Sequence, residues 1–246
     1  QQEPELYFLP LSDEAADSGQ DCPWNPYRKI DRSDWPQAMH LIQEGAAYTQ
    51  DPGTRIGPEM LQSVFSEGRI LDLCAAPGGK TILFNTLFGE GLDEIVSVDL
   101  PGPRYSRLES NLKRTGISRV RPLAGNLFEI DSTKTGQFEG VYLDAPCSNT
   151  GVLQKKPDVK WRLDPEERPQ LLVLQERMLA QASQFVVSNG WLVYSTCSVE
   201  TDENEAVVDR FLASISGRSF ELVEQIKSCP WETGHDGAGV ALMRRM

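Results

Sequence analysis

Apolar positions along this chain fall in short runs. They recur as strand-like segments at 69–74 (RILDLC), 94–99 (EIVSVD), 119–124, 138–143 (FEGVYL), 191–195 (WLVYS), 219–224 and 239–243. Helical spacing fills several of the gaps, at 79–89, 104–115, 166–188 and 203–215. Strands alternating with helices of this length predict an α/β fold, a doubly wound, mostly parallel seven-stranded sheet with helices on both faces. No convincing helix separates the last two strands, so they should form a hairpin that makes one strand antiparallel. Ahead of this body, residues 35–65 suggest short helices around a turn at Asp51-Pro52-Gly53. Residues 1–34 are acidic and weakly periodic. The reading is an acidic, partly irregular N-terminal extension over 1–47 and one folded domain over 48–246.

The 246 residues and 39% hydrophobic content suit one large domain. No run of about 18 apolar residues exists, so no membrane span is expected. The start, QQEPELYFLP, has neither a basic flank nor an apolar segment and so does not read as a secretory signal; residue 1 is not Met, so the start can lie upstream. The formal charge of −12, from 24 basic and 36 acidic residues, argues by itself against nucleic acid, because phosphate contacts supply most of such binding. The distribution softens that. Arg104, Arg107, Lys113, Arg114, Arg119 and Arg121 cluster in 104–121 against Glu109 alone, and Lys155, Lys156, Lys160 and Arg162 cluster against Asp158. Each cluster also fits a solvated surface face. Five cysteines, an odd number without a CxxC pair, argue against a disulfide framework and a four-cysteine zinc site, and no His/Asp/Glu cluster has metal-ligand spacing. Reduced thiols in a cytoplasmic setting follow.

Ligands of open α/β sheets sit beyond the carboxyl ends of the strands. The first strand of the alternating body ends in LDLCAAPGGKT (71–81), where Gly78 and Gly79 permit close backbone approach at a helix N-terminus. This is no phosphate loop, because Cys74 stands where that pattern needs Gly, and 76–81 (APGGKT) does not fit GxGxxG. Asp99 ends the next strand about 20 residues on, where a carboxylate accepts from both ribose hydroxyls of a nucleoside cofactor. A nucleoside without a cradled pyrophosphate points to S-adenosylmethionine. Asp99 would otherwise cap the following helix. Asn126, at the end of the third strand, would hydrogen-bond adenine or simply make a turn.

The fourth strand runs into LDAPCSNTG (143–151) and the fifth into YSTCS (194–198). These strands are neighbours in a doubly wound sheet, about 4.8 Å apart, so Cys147 and Cys197 should emerge within a nucleobase width beside the methyl donor. Two thiols with the Asp144 carboxylate suit methylation of cytosine carbon 5. That carbon becomes nucleophilic once a thiolate adds to carbon 6, and its proton must later leave. Position leaves open which cysteine attacks.

LDLCAAPGGKT, DAPCSNTGV and YSTCSVETDENEAVV resemble the signature motifs of the RNA m5C methyltransferases, the family of bacterial 16S rRNA cytosine methyltransferases and the nucleolar and Sun-type enzymes. The likeness runs from YTQDPGTR (48–55) to HDGAGVALMRR at the end, and KKPDVKWRL (155–163) is similar to the bacterial branch. The resemblance implies a Rossmann-like class I methyltransferase that takes S-adenosylmethionine and acts on RNA, ribosomal RNA first and tRNA as the alternative. It implies Cys197 as nucleophile, Cys147 as the thiol assisting proton loss and release, Asp144 at the N3/N4 edge of cytosine, and Lys80 as support for base or cofactor. It implies that Cys74, Ala75, Ala76, Pro77, Gly78, Gly79 and Lys80 hold the methionine part, with Asp99 on the ribose and Arg104, Asn126 and Asp144 also at the cofactor. Asn126 replaces the family's usual Asp, and Asn149 its usual Gly. Residues 1–47 are too short and acidic for the RNA-binding domain of many relatives, so the protein docks on a ribosomal particle or such a domain lies outside this sequence.

Two other classes compete. A catalytically silent assembly factor would keep the fold, but Cys147, Cys197, Asp144 and Lys80 are all present. DNA cytosine methyltransferases place a cysteine in a PC motif, which DAPC echoes, but lack the second cysteine. Cys74 is expected beneath the glycine loop, Trp161 and Trp231 half-buried, and the acidic run Glu200–Glu205 at a helix start.

Overall fold

The computed structural model describes residues 5–162, 164 and 166–246, with Arg162 described by its backbone alone. Four short strands come first: β1 (Leu6–Pro10), β2 (Gln20–Asp21), β3 (Arg28–Ile30) and β4 (Ala47–Thr49). They pair antiparallel in the order β2-β3-β1-β4. Helix α1 (Trp35–Gln43) buries Ala38 and Leu41 against Phe8 and Ile30 of this sheet. Within the partly irregular extension that the sequence suggested over 1–47, Leu6–Thr49 hold a small four-stranded layer, and β4 runs across the 47/48 boundary. The acids misled because they sit in turns: Ser12 caps the turn begun by Asp13 and Glu14, and Asp31 caps the turn at Arg32–Asp34.

The main sheet holds β5 (Gly68–Leu73), β6 (Leu92–Asp99), β7 (Val120–Ala124), β8 (Phe138–Asp144), β9 (Val186–Thr196), β10 (Phe220–Ser228) and β11 (Ala238–Arg245). Its order is β10-β11-β9-β8-β5-β6-β7, and β11 alone runs antiparallel to its neighbours. The alternating pattern therefore led to the observed α/β sheet, hairpin included. Alternation along β5 decides which face each residue serves. Leu71 and Leu73 join one core with Met178 and Leu179 of α5 (Arg168–Ala182) and Val207, Val208 and Phe211 of α6 (Glu205–Ala213). Ile70 faces the other core, with Met60 and Leu61 of α2 (Ile56–Gln62) and Phe84 and Phe88 of α3 (Gly79–Phe88). Each fully buried Leu or Ile contributes about 1.5–3 kcal/mol.

Between these layers, helix α4 (Pro103–Arg114) opens with proline at its first position and buries Leu108 and Leu112. Those two leucines meet Tyr7, Leu9 and Tyr48 of the small sheet around Ala75 and Ala76, so the N-terminal layer is packed directly on the loop after β5. Two segments differ from their sequence pattern. The helix expected over 166–188 ends at Ala182, and Phe185 and Val186 enter the core at the start of β9. The acidic run does lead into α6, which begins at Glu205, but no side chain caps that helix. Thr201–Glu203 form a single turn without a side-chain cap, and Glu203 is completely buried.

Candidate active site

The glycine loop is shaped by the sequence it carries. Cys74 (φ 61°) and Gly78 (φ 105°) both take left-handed backbone, which turns the chain from β5 into α3. Asp99, at the tip of β6, fastens this loop: its Oδ2 accepts from Ala76 N at 2.8 Å and its Oδ1 from Leu100 N at 2.8 Å. It does not cap α4, whose cap position is Gly102. Arg104 donates to Ala76 O at 2.7 Å and Asn111 to Pro77 O at 2.8 Å, so α4 braces the loop from behind. Asn126 makes the turn: its side-chain oxygen accepts from Phe128 N at 3.1 Å. A cavity of about 600 Å³ lies over these residues, lined by Asp99, Arg104, Asn126, Leu127, Phe128 and the 74–77 loop among others. Burial pushes the Cys74 thiol up to about 12, so it stays protonated.

A second cavity, about 630 Å³, opens between the small sheet and the main one. The two share Cys74, Ala76, Pro77, Asp144, Lys156 and Cys197 as walls. At that junction Cys147 and Cys197 place their sulfurs 3.1 Å apart, both as free thiols. β8 and β9 are paired with Asp144 opposite Ser195, which brings the chain beyond each strand to the same spot. The hydrogen bond between the thiols splits their acidities. Cys147 is raised well above an ordinary thiol by that bond, burial and the Cys197 charge. Cys197 is lowered, chiefly by the same bond, with burial and Asp144 opposing and Lys80 and Lys156 assisting. Lys80 Nζ lies 2.8 Å from Asp144 Oδ2. Burial works against its charge, but Asp144 outweighs it and keeps Lys80 firmly an ammonium. Asn149, itself in left-handed backbone (φ 62°), accepts from Cys197 Sγ at 3.2 Å and donates to Cys147 O at 2.8 Å.

A sequence profile of the 16S rRNA methyltransferases RsmB/F matches residues 60–234. The chain belongs to that family. It is similar to the ribosomal RNA small subunit methyltransferase B of Escherichia coli O17:K52:H18, 35% identical over 208 residues, and equally to that of Shigella sonnei. Each match covers 83% of this chain and 47% of the relative, so the chain spans about half the length of these proteins. Among solved structures, a methyltransferase homolog protein from Pyrococcus horikoshii superimposes with a TM-score of 0.79 at 20% identity, covering all of this chain and 88% of that one. NSun6 from the same organism, solved with SFG, gives 0.72 at 22% identity over 89% of this chain and 57% of that one. At these identities the likeness establishes the fold.

The cofactor of RsmB/F methyltransferases, S-adenosylmethionine, fits the first cavity. Its volume is within the usual range for small-molecule sites. It offers a carboxylate at Asp99, an apolar shelf at Leu127 and Phe128, and the loop residues Cys74, Ala76 and Pro77. The basic residues are less free than the sequence implied. Within 104–121, Arg104 holds the loop, Arg114 bonds Ile42 O, Arg119 pairs with Glu90 and Arg121 with Glu94, leaving Arg107 and Lys113 exposed. Lys155 bridges Asp51 and Asp236. Lys156 is exposed at the junction of the cavities, Lys160 lies 5.9 Å from the Trp161 ring, and the side chain of Arg162 lies outside the described residues. Trp161 and Trp231 are not half-buried: they are 84% and 73% exposed. Sequence reading missed the Asn149 bridge and the burial of Glu203, since residue type alone does not show side-chain direction. Among the described residues, no helix is long and apolar enough to cross a membrane and no His/Cys/Asp/Glu group is placed to hold a metal ion.

Proposed function

We propose that this chain methylates carbon 5 of a cytosine in ribosomal RNA, with Cys197 as nucleophile and Cys147 as the thiol that completes the reaction. The observation that carries this is the thiol pair itself. Two sulfurs 3.1 Å apart, one acidified and one made more basic by a shared hydrogen bond, stand where two cavities meet. Bound S-adenosylmethionine supplies an electrophilic methyl group on the Asp99 side, and family membership together with a neighbour solved with SFG supports that cofactor. Residues 48–246 form the catalytic unit in this reading.

Cytosine enters the cavity walled by Lys80 and Asp144. The Cys197 thiolate forms a bond to carbon 6, moving an electron pair into the ring. Asp144 accepts from the N4 amino group at the N3/N4 edge, and the Lys80 ammonium that it holds steadies the negative charge that builds at N3. Once Cys197 is bonded to carbon 6, its charge and hydrogen bond no longer hold Cys147 protonated. Cys147 gives its proton to solvent and, as a thiolate, takes the carbon 5 proton after methylation; the carbon 5–carbon 6 double bond re-forms and Cys197 leaves as a thiolate. Lys156 at the junction, with Lys113 and Arg107, offers charge to phosphates.

The test supplies labelled S-adenosylmethionine with total rRNA and with tRNA, followed by mapping of 5-methylcytosine. Cys197→Ala abolishes transfer. Cys147→Ala still attacks and accumulates a covalent protein–RNA adduct. Transfer to tRNA alone replaces the rRNA target. Full activity of Cys197→Ala, or transfer to an atom other than carbon 5, overturns the mechanism.

A further inference from the structure

We propose that Glu203 is a positioning residue that sets the spacing of the two cysteines by tying together the loops that present them. This deepens the two-thiol reading above and rests on it.

Glu203 is 0% exposed, and a carboxylate so placed is costly unless every lone pair finds a donor. Here it does. Oε2 accepts from Ser148 N at 2.9 Å and from Gln175 Nε2 at 3.1 Å. Oε1 accepts from Ser198 Oγ at 3.0 Å and from Ser148 Oγ. Ser148 follows Cys147 in the chain, and Ser198 follows Cys197. One buried group therefore grips the residue next to each thiol, from two different strands. Gln175 reinforces the grip, since its Nε2 also donates to Pro146 O at 2.9 Å.

The Glu203 backbone is itself fixed. Tyr194 Oη donates to Glu203 O at 2.7 Å. Its neighbour Asn204 accepts from Thr196 Oγ1 at 2.6 Å and donates to Ser198 O at 3.0 Å, clamping the chain on both sides of Cys197. A carboxylate suits the task because it is acceptor-only, so all four donors converge without competition. An amide would put N–H groups against two of them.

Glu203 touches neither sulfur, so its effect passes through the loops. Misplacement of a reacting group by about 1 Å costs on the order of 100-fold in rate. A filler of the core would show none of this, because packing alone does not require the same two oxygens to reach both cysteine loops.

The experiment uses the full chain with Glu203→Gln, which keeps the shape, and Ser198→Ala and Ser148→Ala, which each remove one strap. Expected for Glu203→Gln is a kcat for methyl transfer reduced about 10- to 100-fold, with KM for RNA and affinity for S-adenosylmethionine within about twofold. Each serine variant should lose about three- to tenfold. The second readout needs no RNA: the rate of iodoacetamide alkylation of Cys197 relative to Cys147, measured across pH by mass spectrometry. Wild type should strongly favour Cys197, and Glu203→Gln should reduce the preference at least threefold. If Glu203→Gln fails to fold, the serine variants decide the matter by the same two measurements. An unchanged alkylation preference in folded variants overturns the positioning role. A wild type that alkylates selectively but methylates no RNA overturns the proposed reaction and leaves the positioning result standing.

Discussion

Asn149 Oδ1 accepts from Cys197 Sγ at 3.2 Å while the Nδ2 of the same side chain donates to Cys147 O at 2.8 Å. One residue thus joins the two cysteine loops above the thiols. The bond to Cys197 exists only while that thiol keeps its proton, so it opposes formation of the thiolate. Asn149→Gly retains the left-handed backbone at φ 62° without strain and removes the bond. Cys197 should then be alkylated faster at neutral pH, by about threefold to tenfold for one hydrogen bond of about 1 kcal/mol. Iodoacetamide kinetics measure this. Slower alkylation would mean that the amide donates to the thiolate and assists it.

The Lys80–Asp144 pair separates thiol acidity from turnover. Lys80 lowers the Cys197 pKa and Asp144 raises it, both as secondary influences behind the Cys147 bond. Lys80→Met should therefore slow alkylation of Cys197 at neutral pH, and Asp144→Asn should speed it, each by a few fold. Both variants should lose at least about 100-fold in methyl transfer, because the base loses its charged partner in the site. Methylation that followed alkylation in both variants would show that thiolate supply alone limits the reaction.

The strands of the main sheet were readable because β5, β6 and β8, covered on both faces, spell near-continuous apolar runs. Lys80 came only from the resemblance to the RNA m5C methyltransferases, whereas Cys147, Cys197, Asp144 and Asp99 were readable as candidates because topology puts strand ends together. The small N-terminal sheet was not. Its strands have two to five residues, too few for a period to declare itself, and its acids look like a solvated tail while serving turns. The end of α5 was equally hidden, since apolar Phe185 and Val186 fit a helix face as well as the start of a strand. Glu203 hid among acids, because a charged residue in a polar run is normally outside. Only the fold reveals that this one points inward.

Close packing beneath the site yields a stability prediction. A Cβ on Gly57 would lie 2.2 Å from Tyr142 Oη and 2.8 Å from Tyr142 Cε2, and Tyr142 is completely buried in β8 below Lys80. Neither side has room to move, so Gly57→Ala should destabilise the fold by about 1–3 kcal/mol. Urea unfolding measures it. Tyr142→Phe in the same chain removes the worst contact and should recover part of the loss; no recovery would place the strain elsewhere.

Asp72 gives the fold a pH dependence of unusual sign. It is completely buried in β5, and burial pushes its pKa up from 3.8 to about 7, with the Thr81 hydroxyl bond and Lys80 pulling the other way. The folded state therefore holds this proton more tightly than the unfolded chain does. Below about pH 4 both states are protonated and the benefit is complete; it declines as pH rises, until the folded carboxyl has ionised above about 7. Stability should fall across that window by up to about 1.4 kcal/mol per pH unit from this group alone. Asp72→Asn cannot ionise, so the difference between variant and wild type should grow in the variant's favour from pH 4 to 7 and level off above. Urea melts of both proteins at pH 4.5, 6 and 8 measure the difference. A difference that stayed constant across the three would show that Asp72 carries its charge in the folded protein throughout.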